Sequence, residues 1–245
     1  MKMMPLTALL STLALNACGG GGDGSSAGPP PPPPPTSYNL AAAMAGFIAN
    51  GELVHFVATG SVSVNGVPTP LSGSGTLDFS PAASDWFYAT PAVSTSRTVT
   101  GTATVGGHAG TLSGDRAVFY DAGSLAYLGE LNSDPSNTEF DIAGAPIMLP
   151  EIVTVGSSGA LGTISRYTDT SMSVPLGTVD YSYQVRSSPG TTTTVVVEFI
   201  YRLYDLQQNL AQTSVDDFAL SSAGTLSFLS ATGTIGAQWI TLKAQ

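Results

Sequence analysis

The chain is poor in the side chains that carry most enzyme and metal chemistry: its 245 residues include one cysteine, two histidines and two tryptophans. A single thiol makes no intramolecular disulfide, and with only His55 and His108 beside it there is no ligand set for zinc or copper. Lysine and arginine together number 7 against 17 aspartates and glutamates, a formal charge of −10. Nucleic acid and anionic lipid both select clustered cations, so neither is a charge-driven partner. Nor is there a run of the roughly 20 apolar residues that a membrane-spanning helix requires. The N-terminal uncharged stretch, from residue 5 to residue 15, has the length of a signal core instead.

The residues at the end of that stretch are more specific. Leu15-Asn16-Ala17-Cys18 holds the only cysteine and runs into Gly19-Gly20-Gly21-Gly22 and then seven prolines at 29–35. This resembles the lipobox of bacterial lipoproteins. The resemblance implies cleavage before Cys18, a diacylglyceryl thioether on its sulfur and an acyl chain on its new amino group. Several chains on one residue anchor stably where one binds marginally. Gly19, rather than an aspartate, tilts the destination toward the outer membrane of the cell envelope. An ordinary secretory signal with an incidental cysteine is the alternative. The prolines favour polyproline II at about 3.1 Å per residue, a stiff stalk of roughly 22 Å. The chain therefore divides into a signal peptide (1–17), a lipidated cysteine with its stalk (18–37) and a folded part (38–245), read as one domain or two subdomains meeting near residue 150. It is similar to proteobacterial lipoproteins that carry such a stalk and a threonine-rich β domain, a likeness that transfers no activity.

The folded part reads as mostly β: antiparallel sheet built of hairpins, a sandwich or a curved half-barrel, with one short N-terminal helix. That helix is placed at residues 39–50, with Asn39 as N-cap, Gly51 past the end, and Leu40, Met44, Phe47 and Ile48 on one stripe meant to lie on the sheet. Beyond Gly51 the period falls to 2. Val62-Ser63-Val64 meets Asn65-Gly66, a type I′ hairpin signal, and a similar stretch recurs 41 residues on: Gly60 to Gly66 with Leu71 aligns with Gly101 to Gly107 with Leu112. Duplication and shared hairpin chemistry both account for it. The segment from Thr178 to Tyr204 alternates so that Val179, Tyr181, Tyr183 and Val185 share a face, and Val195, Val197, Phe199, Tyr201 and Leu203 share another. Further strands fall near residues 224–231 and 238–243, with Trp239 as a packing anchor. Tyr120-Asp121, Tyr167-Thr168-Asp169 and Tyr204-Asp205 each stand at a strand end, where aspartate caps a turn.

Chemistry is sparse. Gly24-Ser25-Ser26-Ala27-Gly28 matches a nucleophile elbow in letters but lies in the stalk, without the strand and helix that the elbow needs. His55 reads as a sheet side chain and His108 as a turn residue, with Ser72 and Ser113 the serines nearest in pattern to a triad. Asn132, Asp134, Asn137, Glu139 and Asp141 crowd one loop-like segment and form a weak calcium candidate, although Pro135 departs from an EF-hand loop. No catalytic residue and no cofactor is assigned. The leading expectation is a lipid-anchored envelope protein acting as a structural or interaction module, its partners the membrane through Cys18 and an envelope protein. The alternative is a binder of apolar ligands in a cavity between sheet and helix, on the order of several hundred Å³. An extracytoplasmic hydrolase is the third reading.

Overall fold

The structure is a computed structural model that describes residues 37–132, 138–191 and 193–245. The lipobox with Cys18, the stalk, the serine motif, Asp134 and Asn137 lie outside the described residues. In chain order come β1 (Tyr38–Asn39), α1 (Leu40–Asn50), β2 (Glu52–Val64), β3 (Val67–Phe79), β4 (Ala83–Phe87), β5 (Thr90–Val105), β6 (His108–Asp121) and β7 (Tyr127–Asn132). The second half holds β8 (Glu139–Ile147), β9 (Ile152–Val153), β10 (Ser158–Tyr167), β11 (Pro175–Ser187), β12 (Thr194–Tyr204), β13 (Leu210–Ser221), β14 (Leu226–Ile235) and β15 (Gln238–Ala244).

The fold is mostly β with a single helix among the described residues, and the strand pairings are antiparallel. Strands on either side of residue 150 belong to one sheet, through β8 and β10. That sheet is neither a sandwich nor a half-barrel, because β3 also pairs with β5 and closes a twelve-stranded barrel: β3-β2-β15-β14-β13-β12-β11-β10-β8-β7-β6-β5. Closure leaves the barrel sheet only the short edge at β4, and removes the aggregation hazard that long unpaired strands carry. At the closing seam, inward positions are small. Gly75 faces Gly101 and Gly73 faces Ala103 in register, and a Cβ at Gly75 would stand 2.2 Å from the Thr100 carbonyl oxygen and 2.9 Å from the Phe56 ring. The glycines let backbone and ring approach closely at the seam.

The two aligned hairpins are equivalent in structure. Asn65-Gly66 and Gly106-Gly107 both take positive φ at both turn residues, as a type I′ turn demands. Each sets a glycine opposite its leucine, Gly60 to Leu71 and Gly101 to Leu112. The β11–β12 pair keeps the expected faces, with Val179 opposite Leu203, Tyr181 opposite Tyr201 and Val185 opposite Val197, all turned inward. One expectation is reversed at β15. Ile240 and Leu242 are buried, whereas Trp239 alternates with them on the outer face and anchors nothing inside.

An eight-stranded barrel is just filled by its own side chains, and one of sixteen or more holds a channel. Twelve strands leave an intermediate bore that needs a filler at its mouth. That filler is α1, which covers one end of the barrel and does not lie on a sheet face as the stripe alone suggested. The Asn39 side chain caps it by accepting from the Ala42 amide at 2.8 Å, and Gly51 at φ 65 ends it. Leu40, Ala43 and Ile48 are buried, and Phe47 sets its ring edge-on against Phe79 at 5.1 Å and Phe218 at 5.4 Å. The β1–β9 pairing and the Leu40 amide, which donates to the Glu151 carbonyl, hold the start of the helix in place.

Over β3, β5 and β6 the outer wall is polar. Exposed Ser72 and Ser74 on β3, Thr100, Thr102 and Thr104 on β5, and Thr111, Ser113 and Asp115 on β6 face water, the reverse of the apolar band that a lipid-embedded barrel presents. One apolar patch on the outside is covered by the chain itself. The β4–β5 hairpin folds over β7 and β8 so that Phe87 packs on Phe119 and Phe140, over Gly129, where a Cβ would lie 2.6 Å from the Phe87 ring.

Candidate binding chamber in the barrel interior

Alternation along β5 and β6 turns Arg97 inward with Val99 and Ala103, and Arg116 inward with Leu112 and Val118; the two arginines are opposite each other in register. Asn132, Glu130, Glu139, Asp141 and Arg166 continue the inward set on β7, β8 and β10, with Asn132 opposite Glu139, Glu130 opposite Asp141, and Asp141 opposite Arg166. Asp216 closes the belt from β13. A barrel otherwise filled with leucine, valine and phenylalanine thus carries three arginines and four carboxylates at mid-height.

Pairing makes that burial tolerable. Arg97 Nη1 donates to Asp216 Oδ2 at 2.9 Å, Arg116 pairs with Glu130, and Arg166 donates from Nε to Glu139 Oε1 at 2.6 Å. Asp141 is the remainder. It is 6% exposed, its Oδ1 accepts no hydrogen bond, and its contact with Arg166 Nε is a loose 3.8 Å. Burial, then the charges of Glu130 and Glu139, hold Asp141 well above the usual carboxylate range. Glu130 before all else raises Arg116 still further, so that guanidinium stays charged. Burial keeps Tyr127 and Tyr201 as neutral phenols, with Glu130 adding to the effect at Tyr127 and Tyr181 at Tyr201. Tyr201 stacks on Tyr181, ring centroids 4.7 Å apart and 8° from parallel.

The belt divides the interior into two cavities. The larger, about 150 Å³, sets Arg116, Glu139, Asp141 and Tyr201 against an apolar wall of Leu112, Ile164, Val179, Leu203, Ile240 and Leu242. The second, about 110 Å³, lies between the belt and α1, among Met44, Phe47, Phe79, Tyr120, Phe199 and Phe218. Arg97, Tyr127, Glu130, Tyr201 and Asp216 line both and form the partition. An engineered apolar cavity of roughly the larger volume holds benzene, so a molecule of a few carbons fits.

The residues singled out in the sequence distribute unevenly over this picture. Of the calcium candidate, Asn132, Glu139 and Asp141 sit on strands β7 and β8 facing inward, with Glu139 paired to Arg166 and Asp141 left at its loose contact. Among the described residues no group of three or more His, Cys, Asp and Glu is arranged to hold a metal ion. His55 is exposed on the outer face of β2 and His108 is exposed beside a hairpin turn, while Ser72 and Ser113 are exposed on the outer wall. The three Tyr-Asp segments are turn caps: Asp121 accepts from the Ser124 amide at 2.7 Å, Asp169 from the Ser171 amide at 2.8 Å, and Asp205 from the Asn209 amide at 2.9 Å. The Ser124 and Ser171 hydroxyls, and then those amides, pull the Asp121 and Asp169 carboxyls below their ordinary value, and the Asn209 backbone amide does the same at Asp205. The belt arginines escaped sequence reasoning, yet a signal was there. Arg97 falls in phase with Val99, Ala103 and Val105, and Arg116 with Leu112 and Val118; a charge on the apolar phase of a strand marks a buried one. Comparison of the chain with family models, with curated proteins and with solved structures gives no match.

Proposed function

We propose that the protein is a lipid-anchored binding barrel of the bacterial envelope, held by Cys18 and its stalk at the outer membrane, whose interior takes a small molecule with both polar and apolar parts. The observation that carries this reading is the larger cavity, which faces buried charge on one side and aliphatic side chains on the other. Protein cores are ordinarily close-packed and apolar, and buried charges cost stability that a filled hydrocarbon core would not. A structural barrel has no use for that arrangement, whereas ligand sites combine an apolar wall with a few fixed polar groups. The cavities are smaller and more polar than an apolar carrier requires, so the ligand is amphipathic rather than oily. No reaction is assigned.

The test is native mass spectrometry of the full-length protein extracted from membranes, alongside a Leu112→Trp variant that fills the cavity. A lipid-bearing Cys18 N-terminus together with a small bound mass, absent from the variant, supports the reading; an unmodified Cys18 removes the anchor. Equal spectra from both proteins, without a bound mass, remove the ligand. A second reading, an interaction module with no internal ligand, is favoured by Trp86, which is 65% exposed beside the exposed Tyr88 on the β4–β5 hairpin. Trp86→Ser then weakens association with a copurifying envelope protein while leaving the cavity untouched.

A further inference from the structure

We propose that the ligand of the larger cavity is a small organic cation, an alkyl ammonium with a short apolar tail, and that Asp141 is its anchor. This inference rests on the reading of the interior as a binding chamber and names the class of molecule.

The charge count points there first. Arg97, Arg116 and Arg166 each have their own carboxylate in Asp216, Glu130 and Glu139. The fourth acidic group, Asp141, has only a loose 3.8 Å contact with the Arg166 guanidinium that Glu139 already holds, and its buried Oδ1 accepts no hydrogen bond; a cation arriving there takes the place of the proton that burial otherwise keeps on it. A buried polar atom without a partner costs roughly 1–3 kcal/mol and is rare in a native interior. A primary ammonium supplies what is missing, a positive charge and three N–H donors.

The surroundings select the rest of the molecule. Tyr127 and Tyr201 line the same cavity, and tyrosine ring faces attract a cation that has lost its water. The lining also includes Leu112, Ile164, Val179, Leu203, Ile240 and Leu242, which offer no side-chain oxygen. Calcium takes six to eight oxygen ligands, whereas Asp216, Glu130 and Glu139 in the lining are already held by Arg97, Arg116 and Arg166. An alkyl chain of four to six carbons uses the apolar lining well, at about 0.8 kcal/mol per buried methylene.

Calorimetric titration of the full-length protein near neutral pH with pentylamine, 1-pentanol and calcium separates the outcomes. The proposal expects pentylamine to bind at least about tenfold more tightly than pentanol. It also expects Asp141→Asn to bring the amine down to the level of the alcohol while leaving the alcohol unchanged. The amine–alcohol comparison stands in the unmodified protein even where the variant folds poorly. Equal binding of the two in that protein overturns the cation and leaves the chamber. Binding of neither overturns both the cation and the chamber. Calcium binding that depends on Asp141 and displaces the amine overturns the organic ligand in favour of a metal.

Discussion

Arg97 on β5 and Asp216 on β13 meet inside the barrel at 2.9 Å although 119 residues separate them in the chain. Neither strand neighbours the other in the sheet. The pair spans the bore and, with Tyr201, Tyr127 and Glu130, forms the floor shared by the two cavities. Arg97 also lies 5.7 Å over the Phe79 ring, which itself packs against α1 through Phe47. Plug, partition and chamber are therefore mechanically joined.

Breaking that strut from one side leaves a charge buried without its partner. Arg97→Met is expected to destabilise the barrel by about 3 kcal/mol in urea unfolding, since Asp216 is 6% exposed. The double variant Arg97→Met with Asp216→Leu is expected to recover most of the loss. Equal instability of single and double variants argues against the pairing.

The plug gives a second expectation. Phe47→Ala removes the ring that touches Phe79 and Phe218 and costs about 2–3 kcal/mol, below the fully buried range because Phe47 is half-buried. Fluorescence of an added apolar-surface dye should rise as the mouth opens, with far-ultraviolet circular dichroism unchanged.

Much of this wall was legible in the sequence, and the reason lies in local chemistry. Asn39 and Gly51 bound the helix, Asn65-Gly66 fixes one hairpin, and the alternation from Val179 to Leu203 fixes the faces of two strands, because each depends on residues a few positions apart. Closure was not legible. It depends on Leu77 meeting Val99 and Gly75 meeting Gly101 across β3 and β5, with β4 between them in the chain, and no pattern within either strand names its partner. The place of α1 is a consequence of closure and was hidden with it. So was the acidic segment at 132–141: it reads as a solvated loop by composition, but strand pairing turns Glu130, Glu139 and Asp141 toward arginines brought from other strands.

Glycine carries the shape of two contacts. Gly129→Ala places a methyl 2.3 Å from the Asp141 carbonyl oxygen and 2.6 Å from the Phe87 ring, which forces the β4–β5 hairpin off the outer wall. Loss of about 1–3 kcal/mol is expected, with faster limited proteolysis within residues 83–92. A cleavage rate equal to the parent's contradicts the packing of Phe87 over β7.

Asp141 sets a pH dependence with a definite sign. Its carboxyl holds a proton more tightly in the folded state than in the unfolded one, where its value is about 3.8. Between about pH 4 and the raised folded value the folded state binds more protons, so its contribution to stability is complete at the acid end and is lost as pH rises. Asp121, Asp169 and Asp205 act oppositely, their stabilisation fading as pH falls through folded values below 3.8. Thermal melts of Asp141→Asn are expected to gain on the parent as pH rises from about 4 toward the raised folded value. A constant difference across that range rules out a proton on Asp141.

The proposed function requires the cavity above the belt to receive a ligand. Methyl-resolved NMR of the full-length protein titrated with pentylamine tests this at the site. Shifts are expected at Leu112, Ile164, Val179, Leu203, Ile240 and Leu242, with the exposed methyls of Leu53, Ile152 and Val155 unmoved. Shifts confined to those surface methyls, or none at all, contradict a binding chamber in the barrel.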